Sequence, residues 1–331
     1  MKTIINFSAN RDANCIKIAD QIAKFYKDEG VNVFNFYETS LSPCGNCEYE
    51  CIKQNVSCKI DDKLNEMYES VSNSTEAIYI MPNYNDYPCA NFFIFNERGN
   101  GYFNKDGLKR KKYQSVKKKF IVISNSHDEN FKKAFSYHVE KDPKILFLGA
   151  KKLGFNSLDK NLVDKEGVRK LIKNFILEKY CLEHSAMAVV IHKNNILCIS
   201  EEIYGNISVS LPKGHIEKGE TVLEAAIREC YEETNVEIKK ENMVEMLEPY
   251  EVNFTNHYFD IVKKIIYPVL FVVNEQGNPK SKEDKISNVE FMNIGRFMAC
   301  CSYQNVVDLV QEVILKLTRK IDKKMLSTRN N

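Results

Sequence analysis

Two hydrophobic periods alternate along the first half of the chain. Apolar runs of strand length lie at residues 2–7, 31–36, 77–81, 120–124 and 145–148. Between them apolar residues recur every three or four positions, as at Ile16, Ala19, Ile22, Ala23 and Tyr26, which predicts helices over 12–28, 60–73, 89–97, 128–140 and 165–180. Strands that alternate with helices imply an α/β fold whose parallel sheet is covered on both faces. The second half reads differently. A hairpin is predicted over 185–192 and 196–200, turning at Asn194 and Asn195, then strands at 243–250, 264–273 and 289–294 and a helix over 305–317. No Gly or Pro linker separates the halves, which divide as 1–180 and 181–318, and residues 319–331 are polar enough to predict a loose tail.

One stretch has spacing set by chemistry rather than by packing, GHIEKGETVLEAAIRECYEETNV from Gly214 to Val236. Thr221 and Glu224 form a capping-box pattern at the start of a helix, and Leu223, Ala226, Ile227 and Cys230 give it an apolar face. Glu229, Glu232 and Glu233 stand at i, i+3 and i+4, so like charges gather at a helix C-terminus, where the macrodipole opposes them. A hard cation such as Mg²⁺ or Mn²⁺ reverses that balance. Gly214 and Gly219 permit a tight loop, Glu220 stands at the helix entrance, and Arg228 can hold a glutamate by paired hydrogen bonds.

This stretch resembles the box of the Nudix hydrolases, with Gly214, Glu220, Arg228, Glu229, Cys230, Glu232 and Glu233 in register. Asn235 stands where that family usually has glycine, and asparagine is the next best residue for a left-handed cap. The resemblance implies an α/β/α sandwich with a mixed sheet. It also implies a metal held by Gly214, Glu229, Glu232 and Glu233, and Glu229 as base with Arg228 and Glu220 in support. Its substrate would be a nucleoside diphosphate linked to another moiety. Many relatives supply a further acid from the loop before a late strand. Here Glu283 and Asp284 are at hand in that loop, with Lys285 beside them.

Composition adds limits. A hydrophobic fraction of 44% and a charged fraction of 28% describe a soluble globular protein. A net charge of +2 gives wholesale nucleic-acid binding no support, and the basic stretches 109–112 and 117–119 read as a solvated loop leading into a strand. No long apolar run or signal peptide is seen, so a cytoplasmic protein without a membrane span is expected. Eleven cysteines then indicate reduced thiols or metal ligands.

Five strand–helix units suggest a doubly wound, flavodoxin-like order, with a ligand site beyond the strand C-termini. Two loops lie there, residues 8–15 before the first long helix and residues 82–88 after the third strand. On Ser8, Asn14 and the turn Pro82-Asn83-Tyr84, the first half resembles the NADPH-dependent FMN reductase and iron-sulfur flavoprotein family. It departs from that family at Phe7, where glycine is common, and at Asp12 and Ala13. The resemblance implies FMN held by Ser8, Asn10, Asn14, Cys15, Pro82, Asn83, Tyr84 and Asn85, reduction by NAD(P)H, and a homodimer. His127, after the fourth strand, reads as a surface histidine or a substrate-facing group. Cys44, Cys47, Cys51 and Cys58 share one loop, at a spacing open to a [4Fe-4S] cluster, a zinc site or free thiols.

The whole then reads as a Nudix pyrophosphohydrolase fused to an FMN-binding reductase-like domain. Its alternatives are an electron-transfer flavoprotein whose Nudix half handles NADH, FAD or ADP-ribose, and a non-catalytic nucleotide sensor.

Overall fold

The computed structural model describes residues 1–39, 41–45, 47–104, 106–125, 128–136, 139, 143–156, 158–203 and 205–329. The chain divides into two compact units, one of Met1–Lys179 with His257–Asp260 and one of Tyr180–Asn256 with Ile261–Asn331.

The first unit is built on β1 (Lys2–Asn6), β2 (Val31–Asn35), β3 (Glu76–Tyr84), β4 (Tyr87–Pro88), β5 (Lys117–Ser124) and β6 (Lys144–Gly149). Its main path is β2-β1-β3-β5-β6, all parallel, with β4 folded back on β3. This is the doubly wound order expected from the sequence. Burial on both faces explains the unbroken apolar runs: Ile4, Ile5, Ile78, Ile80, Ile121 and Val122 are fully enclosed. One layer of the core is aromatic. Phe7 packs against Phe36, Tyr79, Phe92 and Phe95 at centroid separations of 5.1 to 5.6 Å.

Several boundaries differ from those read in the sequence. Helices expected over 128–140 and 165–180 are Asp128–Phe135 and Glu166–Ile176, and Glu178 ends the second turn region in a left-handed conformation (φ 52°). Residues 109–112 are not a loop but lie in a helix, Gly107–Ser115. That helix has no apolar stripe to announce it. Asp106 caps it by accepting from the Leu108 and Lys109 N–H groups, and Arg110 lies over the Phe103 ring at 4.9 Å. Lys117 and Lys119 begin β5 and are absorbed in ion pairs with Glu76 and Glu178.

The second unit is an eight-stranded mixed sheet of β7 (Cys181–His192), β8 (Asn195–Ile203), β9 (Asn206–Ser210), β10 (Lys213–His215), β11 (Met243–Met246), β12 (Tyr250–Thr255), β13 (Ile261–Val272) and β14 (Ile286–Asn293). Its path is β11-β13-β7-β8-β14, with β7 and β13 parallel. Alternate residues of β7 serve the two faces. Ala186, Ala188 and Val190 pack with the helix Val222–Thr234, while Met187, Val189 and Ile191 join the core under the helix Gln304–Arg329. The α/β/α layering thus follows from period-two patterning in one strand. The strand expected over 243–250 is two strands, β11 and β12, separated at Pro249, which has no N–H to give a ladder. The polar tail continues the last helix to Arg329, since its Lys, Arg, Met and Leu residues favour helix and no Gly or Pro interrupts them. No described helix is long and apolar enough to cross a membrane.

Candidate active site

The helix Val222–Thr234 begins on a complete capping box. The Thr221 hydroxyl accepts from the Glu224 N–H while the Glu224 carboxylate accepts from Thr221. It ends on Asn235 in the left-handed region (φ 58°), whose side-chain amide donates to the Asn278 carbonyl at 3.1 Å. Between these caps the apolar face fixes the helix on the sheet, and the acidic face meets β10. There Gly214 pairs with Ala186 of β7 and lies directly under Glu229. A Cβ at Gly214 would stand 1.9 Å from a carboxylate oxygen of Glu229, so any side chain there would push that carboxylate from its present place.

Arg228 organises the cluster. Its Nε and Nη2 each donate at 2.8 Å to one oxygen of Glu220, the paired contact expected from the sequence. Nη2 also reaches the His215 carbonyl at 2.8 Å, and Nη1 donates to Glu229 at 2.7 Å and Glu232 at 2.9 Å. Those bonds, with Glu220 the strongest, hold the guanidinium charged far above its ordinary range. In return Arg228 draws Glu220 below the usual carboxylate range, assisted by the Glu217 N–H. Glu233 is different. Burial pushes its carboxyl up to about 7, opposed by the Lys213 N–H, which donates at 2.9 Å, and by the charges of Lys213 and Lys285.

The donor set suits a hard divalent cation, since Glu229, Glu232, Glu233 and the Gly214 carbonyl offer only oxygen. The glycine leaves the space that Glu229 needs, and Glu233 is a buried carboxylate to which a cation would be welcome. Here Arg228 spans Glu229 and Glu232, and among the described residues no three His, Cys, Asp or Glu side chains converge tightly enough to hold a metal. Glu232, with its side chain 49% exposed, is free to turn from the arginine toward an ion. Glu283 and Lys285 stand at the same end of the site. Lys285, and Lys213 through its N–H, touch Glu233 across long sequence separations, and the box motif alone did not point to either contact.

In the first unit the residues singled out for FMN are brought to the C-terminal ends of β1 and β3, but several are engaged locally. The Ser8 N–H donates to the Asn6 side chain, the Asn10 N–H to Ser8 Oγ and the Asp12 N–H to Asn10, so these loop N–H groups are satisfied within the loop. Asn14 is buried, donating to the Asp159 carbonyl at 2.7 Å and accepting from the Leu162 N–H at 3.1 Å. Cys15 is buried too, its thiol pushed far up by desolvation. Pro82 and Asn83 end β3, and Asn83 donates to Ser124 Oγ at 2.9 Å. Tyr84 is 63% exposed beside Asn85 and Asp86, both left-handed in the hairpin to β4. Phe7, in the place of a glycine, turns into the aromatic core.

Cys44, Cys47, Cys51 and Cys58 all line one cleft of 840 Å³, and none of them is in a disulfide. The cleft is held by a pair far apart in sequence, Arg98 and Asp62. Arg98, almost wholly buried, donates from Nη1 and Nη2 to Asp62 and from Nη2 to Cys58 Sγ at 3.4 Å. His127 lies outside the described residues.

Comparison with known proteins adds the following similarities. Over 89 residues, 26% of this chain, the sequence is 33% identical to the phosphatase NudJ of Escherichia coli strain K12, and the match spans 58% of that relative's length. Among solved structures the chain is similar to the E. coli dihydroneopterin triphosphate pyrophosphohydrolase (12% identity, 40% of this chain and 95% of that one, TM-score 0.35). It is also similar to the NUDIX domain of Shewanella oneidensis NrtR in complex with ADP ribose (14% identity, 43% of this chain and 96% of that one, TM-score 0.36). Residues 182–304 match the family described as NUDIX domain, and this chain therefore carries a Nudix domain in its C-terminal region.

Proposed function

We propose that the second unit is a metal-dependent pyrophosphohydrolase that cleaves a nucleoside diphosphate linked to another moiety. The observation that carries this reading is the seating of Glu229 on Gly214 while Arg228 ties Glu220, Glu229 and Glu232 into one cluster. Glu229, Glu232, Glu233 and the Gly214 carbonyl would hold Mg²⁺ or Mn²⁺. When bound, such an ion polarises a phosphoryl oxygen and makes its water a stronger acid. Glu229 takes the proton of the attacking water, and Arg228, always charged, fixes that carboxylate's direction. Glu220 positions Arg228 through their paired contact and supports the metal and its water. Similarity to a phosphatase supports hydrolysis at phosphorus over a purely sensing role.

The test is product release from NADH, FAD and ADP-ribose with Mg²⁺, followed by chromatography of the mononucleotides. Glu232→Gln and Glu233→Gln should each abolish turnover with the fold retained. Undiminished turnover in both variants overturns the assignment.

A second reading concerns the first unit, FMN binding with reduction by NAD(P)H. It is supported by the strand order, which leaves the loops after β1 and β3 together at the switch point, and by the exposed ring of Tyr84. Quenching of FMN fluorescence by the full chain tests it, and free FMN at saturating protein sinks it. Iron counted on the same sample, purified without oxygen, tests the cluster suggested by the cysteine spacing.

A further inference from the structure

Lys285 is the last residue before β14, and its side chain is 58% exposed. Its ammonium nitrogen stands 3.5 Å from Oε1 of Glu233 and 2.9 Å from Oε2 of Glu283. Glu233 is otherwise enclosed, with its side chain 3% exposed, and its Oε2 already accepts the Lys213 N–H at 2.9 Å. Oε1 is thus the oxygen that faces a cation, and the cation facing it is a lysine. Glu201 on β8 adds to the negative field at the same ammonium.

We propose that Lys285 is a tethered competitor for the divalent cation: it neutralises Glu233 while no ion is bound and moves wholly onto Glu283 when one enters. This rests on the metal-dependent reading of the box given above. An ammonium on a flexible four-carbon stem suits such a role, because it can leave one carboxylate for another without becoming unpaired. A metal and an ammonium on one carboxylate oxygen repel each other, so each ion bound must first displace Lys285. Apparent affinity is then the intrinsic affinity reduced by the population in which Lys285 holds Glu233. Glu283 acts in the opposite sense, since it receives the displaced lysine. Its influence on the metal therefore passes through Lys285.

The experiment is a Mn²⁺ titration of the full chain, read by the electron paramagnetic resonance signal of free Mn²⁺, without substrate or turnover. Loss of a binding event in Glu229→Gln identifies the site. Lys285→Ala should bind Mn²⁺ roughly five- to tenfold more tightly than wild type, and Glu283→Ala roughly threefold more weakly. In the Lys285→Ala background, Glu283→Ala should change nothing. Both side chains are at the surface, so the fold tolerates their loss. Equal affinity in wild type and Lys285→Ala overturns the proposal. So does an effect of Glu283→Ala that is as large without Lys285 as with it, which would be a plain surface-charge effect. If no Mn²⁺ site sensitive to Glu229→Gln exists, the metal-dependent reading falls and the proposal with it.

Discussion

Gly214 and Glu229 are so closely apposed that the glycine's missing methyl group would lie 1.9 Å from Glu229 Oε2 and 2.0 Å from the carboxyl carbon. Of the two, the end of the glutamate side chain is the part that must give. Glu229 is also bound to Arg228, and Gly214 is fixed in β10 by pairing with Ala186.

Gly214→Ala should therefore turn the Glu229 carboxylate out of place. Overpacking of this kind costs about 1–3 kcal/mol of stability. Mg²⁺-dependent turnover should fall by about a hundredfold or more, as for a displaced reacting group. Thermal unfolding and kcat on the same preparation separate the two effects.

Arg228→Lys keeps the charge and loses the geometry. One ammonium cannot reproduce donation from Nε to Glu220 together with Nη1 to Glu229 and Glu232 and Nη2 to His215. The expected result is a drop in kcat of about 10- to 100-fold, the range seen when a partner of metal-ligating groups is lost. A kcat equal to wild type would mean that the cluster does not position Glu229.

Acid should destabilise the first unit through Glu178. Burial alone would raise its carboxyl, but hydrogen bonds from Lys117 and Lys144 and the charge of Lys119 overcome that and hold it at about 2, against an ordinary 4.5. Its folded pKa is depressed, so its contribution is complete above pH 4.5 and is lost as pH falls toward 2. With allowance for solvent screening of a side chain 29% exposed, this amounts to about 1–2 kcal/mol. Urea unfolding at pH 7 and pH 3 should show it, and Glu178→Gln should remove that part of the difference.

Asn235 holds a left-handed position that glycine adopts more easily, yet its side chain also bonds Asn278. Asn235→Ala loses both and should cost about 1 kcal/mol. Asn235→Gly exchanges the hydrogen bond for backbone ease and should change stability by only a few tenths of a kcal/mol. Denaturant midpoints of the two variants check the order.

The box was legible because its residues act within a single helix and its entry loop: Glu220, Arg228, Glu229, Glu232 and Glu233 lie within fourteen positions. Parallel strand order was legible for a similar reason, since alternation of strand and helix leaves few right-handed arrangements. What escaped was written in long-range pairs. The resemblance brought the loop of Glu283 and Lys285 toward the box, but nothing near Lys285 in sequence reveals that it meets Glu233, and nothing near Cys58 reveals that Arg98 will donate to it. The helix Gly107–Ser115 escaped because periodicity detects a buried face, and among its residues none is buried. At Phe7 the departure from the resembled family was visible, but only the structure shows the ring filling the core beside Phe36 and Phe92.

Asn14 links the first long helix to Asp159 and Leu162, the latter 148 residues further along. A chain made from its N-terminus must therefore carry that helix through most of a domain's synthesis before this clasp can close. Contacts of such separation form late, because loop closure precedes their reward. The clasp is complete once Leu162 has left the ribosome, before the box at Gly214 has been translated. The order of synthesis thus lets this clasp close before the acidic helix of the second unit exists.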